Sequence, residues 1–183
     1  MKVLLGALLT TVIVGSAALA EEPPATPTWS RPTVPAAVAD LSAEDLSGNA
    51  MVIPGHAGQV VLLHFWATWC GPCLEELPAL EQVAAVLAPE GVTTIAISED
   101  KNAGDVRSFV AHHAATPHVV TVADPRRVAA KALKVNVLPT TVIVGRDGTE
   151  LARLVGSGDW TGKDLAILKA EVSGQPADQP TTR

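Results

Sequence analysis

At 183 residues and 48% hydrophobic side chains, the chain has the length of one domain plus tails and ample material for a core. Its formal net charge of −6 argues against nucleic acid or an anionic membrane surface as a partner, since both repel an acidic protein. A basic partner protein remains compatible with that charge.

In chain order, Met1-Lys2 is followed by an apolar run from Val3 to Ala18, then Ala18-Leu19-Ala20 before Glu21-Glu22. One positive charge, a short apolar core and a small-x-small site describe a secretory signal peptide over residues 1–20, cleaved after Ala20. The other reading is an uncleaved anchor, because the run just reaches across a bilayer core of about 30 Å. No cysteine follows the run, which excludes a lipid-anchored form. Loss of Lys2 on cleavage would take the charge from −6 to −7. The expected location is therefore extracytoplasmic or periplasmic, with a membrane tether if the segment is kept. Residues 21–37 hold Pro23, Pro24, Pro27, Pro32 and Pro35 among small polar residues. They read as an extended linker that buries no core.

A folded domain is expected over 38–172. Val38–Leu46 and Ala50–Pro54, separated by Gly48-Asn49, form a candidate hairpin. Val60–Trp66 is a near-continuous apolar run, the pattern of a strand covered on both faces. A helix is predicted from Cys70 to Leu87, with Leu74, Leu77, Leu80, Val83, Ala84 and Leu87 at helical spacing and a kink at Pro78. Val92–Ile97 reads as a strand and Ala103–Ala114 as a helix, turning Val106, Phe109 and Val110 inward. A short strand over His118–Val122 and a short helix over Arg126–Leu133 follow. Thr140–Val144 and Leu151–Val155 flank Gly145-Arg146-Asp147-Gly148, whose Asp-Gly marks a hairpin turn. Asp159 or Thr161 is expected to cap a last helix ending near Val172, and 173–183 reads as a frayed tail. The alternation predicts an α/β fold with a central mixed β-sheet flanked by helices and a small N-terminal hairpin extension.

Cys70 and Cys73 are the only two cysteines, and they lie within Trp69-Cys70-Gly71-Pro72-Cys73. The spacing puts both sulfurs on the first turn of one helix, where free N–H groups and the dipole favour a thiolate at the leading position. Pro72 has the fixed φ of an early helical residue, where its missing N–H costs little. A static crosslink closing so small a loop would stabilise little. A structural zinc site would need two more ligands, and covalent haem would need His where Leu74 stands. The pair reads as redox-active, and no metal is expected. His112, His113 and His118 read as solvent-facing side chains.

The segment Phe65-Trp66-Ala67-Thr68-Trp69-Cys70-Gly71-Pro72-Cys73 resembles the active-site segment of thioredoxin-fold proteins. Leu74-Glu75-Glu76-Leu77-Pro78 resembles its continuation in the exported TlpA/ResA branch. Leu138-Pro139-Thr140 is similar to that family's cis-proline loop, and Gly156-Ser157-Gly158-Asp159-Trp160 to the segment before its last helix. The resemblance spans Val38 to Val172 and implies a thioredoxin-like fold.

It further implies a thiol:disulfide oxidoreductase in which Cys70 attacks and Cys73 resolves the mixed disulfide, with no bound cofactor. Trp69, Gly71, Pro72, Leu138 and Pro139 would shape the site and bind the client, with a cis Leu138–Pro139 bond and the Leu138 backbone free to pair with a client peptide. Glu76 is either a proton relay or a solvated helix-face carboxylate. Trp66 either packs beneath the site or serves it. His64 departs from the aspartate or asparagine that relatives carry six residues before the first cysteine. It is either a proton relay, able when charged to lower a thiol pKa, or a neutral core histidine.

Gly-Pro between the cysteines is the choice of reducing thioredoxins, which lie about 150 mV, or about 7 kcal/mol for two electrons, below the strongest oxidants of the fold. A reductant of client disulfides is therefore expected. The resemblance implies a membrane thiol-transfer donor of CcdA/DsbD type, and an exported client with a cysteine pair, either apocytochrome c or a copper-delivery protein. A monomer is expected. Two other functions are compatible with the cysteines: a thiol peroxidase working through sulfenic acid, and a non-enzymatic copper(I)-binding module.

Overall fold

The computed structural model describes residues 27–34, 36–53, 58–113 and 116–174. The expected signal peptide, the first residues of the proline-rich stretch, Pro54, Ala114 and residues 175–183 lie outside them.

The described residues form eight strands, β1 (Thr28–Ser30), β2 (Leu41–Glu44), β3 (Ala50–Ile53), β4 (Val60–Trp66), β5 (Val92–Ser98), β6 (Val119–Ala123), β7 (Thr140–Val144) and β8 (Glu150–Val155). The helices are α1 (Gly71–Leu87), α2 (Ala103–His113), α3 (Val128–Ala132) and α4 (Lys163–Val172). All strands join one sheet in the order β1-β8-β7-β4-β5-β6-β2-β3. β4, β5 and β6 run parallel, β7 pairs antiparallel with β4, and β8 antiparallel with β7, which gives the thioredoxin-like mixed sheet.

β4 is the axis of the fold because every one of its residues is buried. Alternation divides it between two cores. Val60, Leu62 and Trp66 face the layer built from α1, α2 and α4, which includes Leu80, Leu87, Val106 and Leu168. Val61, Leu63 and Phe65 face the layer closed by α3 and the β2–β3 hairpin, with Ala129, Ala130, Leu41 and Ile53. By the same alternation His64 belongs to the α1 layer. α1 runs unbroken through Pro78, although the proline lacks the N–H that would bond to the Leu74 carbonyl. The β2–β3 turn is tied by Asp45, whose carboxylate accepts from the N–H groups of Ser47 and Asn49 and from the Asn49 amide. Gly48 there takes a φ of 85°, a conformation that suits glycine.

Two expectations are corrected. Residues 28–34 and 36–37 are part of the domain, not an extended linker without a core. β1 pairs with β8 from Thr28↔Val155 to Ser30↔Arg153, and Trp29 is buried in the α1 layer. Arg31 pairs with Glu171 of α4, and Ala37 bridges to Thr149. The strand forms because a large indole finds an apolar site and the open edge of β8 supplies backbone partners. The second correction concerns α4, whose N-cap is Gly162, not Asp159 or Thr161. The Asp159 backbone N–H is instead held by Asp164 inside the first turn, and the Thr161 hydroxyl donates to the Asp159 carboxylate.

Candidate active site

β4 delivers its last residue, Trp66, to a tight turn that ends in Cys70. The Cys70 N–H donates to the Ala67 carbonyl at 3.1 Å. Asp100, beyond the end of β5, fixes the turn from the side. Its carboxylate accepts from the Thr68 N–H at 2.9 Å, the Thr68 hydroxyl at 2.6 Å and the Ser98 hydroxyl at 2.6 Å. Cys70 is the N-cap of α1, with φ −93° and ψ 98°, and its sulfur accepts from the Cys73 N–H at 3.3 Å. The helix start thus directs a donor at the leading sulfur, as a developing thiolate requires.

Cys70 and Cys73 are joined as a disulfide, their Cα atoms 5.3 Å apart. Cys70 is 7% exposed and Cys73 fully buried, so the two sulfurs differ in access. Trp69 is 68% exposed beside them. Gly71 faces open space with an ordinary φ, so packing does not demand a glycine there. Pro72 occupies the first turn of the helix.

The Leu138–Pro139 bond is cis. The loop feeds Thr140, which pairs with Phe65 near the end of β4, so loop and cysteines share one end of the sheet. Leu138 is half-buried against the core cluster that holds both cysteines. The Thr140 hydroxyl donates to the Val137 carbonyl at 2.7 Å, and the Gly156 N–H donates to the Pro139 carbonyl at 2.9 Å. Trp66 packs beneath the site, its ring centroid 5.6 Å from that of Phe109.

His64 is fully buried. Its Nδ1 lies 2.9 Å from the Thr141 hydroxyl, and its Nε2 has no partner. Burial pushes its pKa down to about 4, which favours the neutral ring at pH 7.

Glu76 lies one turn beyond Cys73, and it is buried rather than solvated, at 5% exposure. Its Oε1 accepts from the Gly158 N–H at 3.1 Å and from the Trp160 indole N–H, while Oε2 has no partner. Burial pushes its pKa up to about 7, the charge of Asp164 adds to that, and the two hydrogen bonds oppose it. Gly158 is required for this contact, since a Cβ there would lie 2.7 Å from the Trp160 ring and 2.9 Å from Leu154.

Among the described residues, His112, His113 and His118 do not converge. His112 and His113 are turned back on the Ser108 and Phe109 carbonyls of their own helix, whereas His118 is tied to Glu81 at 2.6 Å. Sequence reasoning missed the side chains supporting the site: Asp100, Asp164 and Trp29. Of these, only Trp29 left a signal, as a lone large apolar residue in a stretch of small polar ones.

Residues 34–149 match the model of the AhpC/TSA family. A thioredoxin-like protein of Haemophilus influenzae is 30% identical over 146 residues, covering 79% of this chain and 83% of its own. The thiol-disulfide oxidoreductase ResA of Geobacillus kaustophilus is 28% identical over 126 residues, 69% of this chain and 70% of its own. Among solved structures, a secreted Mycobacterium tuberculosis disulfide oxidoreductase homologous to E. coli DsbE aligns with a TM-score of 0.56. It is 27% identical, and the alignment covers 73% of this chain and 94% of that one.

Proposed function

The chain belongs to the AhpC/TSA thioredoxin-like family and is a thiol-disulfide oxidoreductase of ResA type, and on that premise we propose that it is an exported reductant of client protein disulfides. The observation that carries this reading is the asymmetry of the pair. Cys70, the N-cap of α1 at the end of the sheet shared with the cis-proline loop, keeps 7% exposure, whereas Cys73 keeps none.

In the reduced protein the Cys70 thiolate attacks one sulfur of a client disulfide. The client's other sulfur leaves as a thiolate and takes up a proton, and a mixed disulfide remains. Cys73, deprotonated, then attacks the Cys70 sulfur. The second client thiol is released and the Cys70–Cys73 bond forms, so two electrons have passed to the client. The dithiol itself stores the electrons, so the cycle calls for no bound cofactor.

Glu76 is the proton acceptor for Cys73 in this reading, because a carboxyl with a pKa of about 7 exchanges protons with a thiol at neutral pH. His64 stays neutral and serves packing. Trp69, Gly71 and Pro72 form the platform, and Leu138 offers its backbone to the client in short β-fashion.

Export is supported by the sequence pattern of residues 1–20 and by the similarity to a secreted oxidoreductase. Among the described residues no helix is long and apolar enough to cross a membrane. A reductant outside the cytoplasm needs imported electrons, which a membrane thiol-transfer protein of CcdA/DsbD type would supply. The clients that fit are exported proteins whose cysteine pair must be reduced before it holds haem or copper, with apocytochrome c favoured. Trapping with Cys73→Ser tests the reading, because the mixed disulfide then cannot resolve. Recovery of a membrane thiol donor and one exported client is expected. Recovery of many secreted proteins would identify a general oxidase or isomerase instead.

A further inference from the structure

Trp29 lies outside the span of the family match, on a strand that the sequence does not announce, yet it reaches the layer that holds the cysteines. Its indole N–H donates to Asp164 Oδ1 at 2.8 Å, a bond between residues 135 positions apart. Asp164 is 1% exposed, and its other oxygen takes the Asp159 N–H at 2.6 Å. Asp159 is flanked by Gly158 and Trp160, the residues whose N–H groups hold Glu76. The Trp29 ring also meets the Trp160 ring edge-on, with centroids 6.4 Å apart and planes at 88°.

We propose that Trp29 is a positioning residue for Glu76, acting through Asp164 and Trp160, so that the N-terminal strand β1 sets the environment of the carboxyl next to Cys73. The inference rests on the reading of Glu76 as the proton acceptor of the dithiol reaction. Among the described residues, α4 contributes Asp164 to the surroundings of Glu76, and the loop before it contributes the Gly158 and Trp160 N–H donors. Asp159 turns its own carboxylate to Thr161.

The Trp29 donor holds one oxygen of Asp164 while the other holds the Asp159 N–H, so the indole braces the segment whose Gly158 and Trp160 N–H groups favour the charged form of Glu76. Trp29→Phe keeps a ring beside Trp160 and removes the N–H with part of the indole. Asp164 is then left with an unpaired buried oxygen, and the segment from Gly158 to Trp160 loses part of its anchor. The two donors hold the Glu76 anion less well, and Glu76 ionises at higher pH.

The test follows the Glu76 carboxyl by carbon-13 NMR in oxidised, glutamate-labelled protein, with Glu76→Gln identifying the signal. The Glu76 midpoint is expected to rise by about half a pH unit in Trp29→Phe, about threefold in its protonation ratio at neutral pH. In Asp164→Ala, which breaks the link from the indole to the Asp159 N–H, adding Trp29→Phe should change nothing further. An unchanged or lowered midpoint in folded Trp29→Phe, or a Trp29→Phe shift that persists in full in Asp164→Ala, overturns the proposal. If Trp29→Phe does not fold, 3-benzothienylalanine in place of Trp29, which keeps the ring shape and lacks the N–H, is read by the same two outcomes. The oxidised protein performs no exchange, so this result is independent of the reaction. A normal pH–rate profile in Glu76→Gln would remove Glu76 from the chemistry while leaving its coupling to Trp29 intact.

Discussion

The sheet side and the helix side of the cysteine pair each bury one titratable group, and they bury it to opposite effect. His64 on β4 has a single side-chain partner, Thr141, and burial holds it neutral by lowering its pKa to about 4. Glu76 on α1 has two N–H donors on one oxygen and none on the other, and burial holds it near half-titration by raising its pKa to about 7. The same physical cause, loss of water around the charged form, moves one pKa away from neutrality and the other toward it. The difference is built by partners from far along the chain, not by the residue type alone.

The largest expected effect is on stability against pH. Glu76 has a folded pKa above the unfolded 4.5, so the native state holds the extra proton and stability falls as pH rises from 4.5 to about 7. His64 has a folded pKa below the unfolded 6.5, so the unfolded state holds the extra proton and stability rises between about 4 and 6.5. Each contribution amounts to about 3 kcal/mol across its window. The two slopes oppose each other where the windows overlap. Glu76→Gln should therefore leave a rising urea-unfolding profile through mildly acidic pH, and His64→Asn a falling one. Two variants with the same slope would break the comparison.

Gly158→Ala sharpens the helix side. The added methyl meets the Trp160 ring and Leu154 inside van der Waals distance, and a loss of about 2 kcal/mol in urea unfolding is expected. On the sheet side Thr141→Val removes the partner of His64 Nδ1 and leaves a buried polar atom unpaired. A loss of about 1 kcal/mol is expected, with the pH dependence of thiol exchange unchanged.

Much of the frame was legible because it is local. The continuous apolar run of β4 and the helical spacing of α1 carry their own signals, and the two cysteines need only the helix start between them. β1 was not legible. Three residues among prolines become a strand only because β8 offers an edge and Trp29 a buried surface. The burial of Glu76 was hidden for the same reason, since Gly158 and Trp160 reach it from more than 80 positions away. The start of α4 at Gly162 carries no local signal, because the Asp159 carboxylate takes the Thr161 hydroxyl and Asp164 reaches back to the Asp159 N–H and across the molecule to Trp29.

The most direct measurement is the rate at which reduced protein reduces a peptide disulfide across neutral pH, in the parent chain, Glu76→Gln and His64→Asn. An inflection near pH 7 is expected in the parent and in His64→Asn and should be lost in Glu76→Gln. An inflection that survives in Glu76→Gln and disappears in His64→Asn would place the working proton on the sheet side and contradict the assignment.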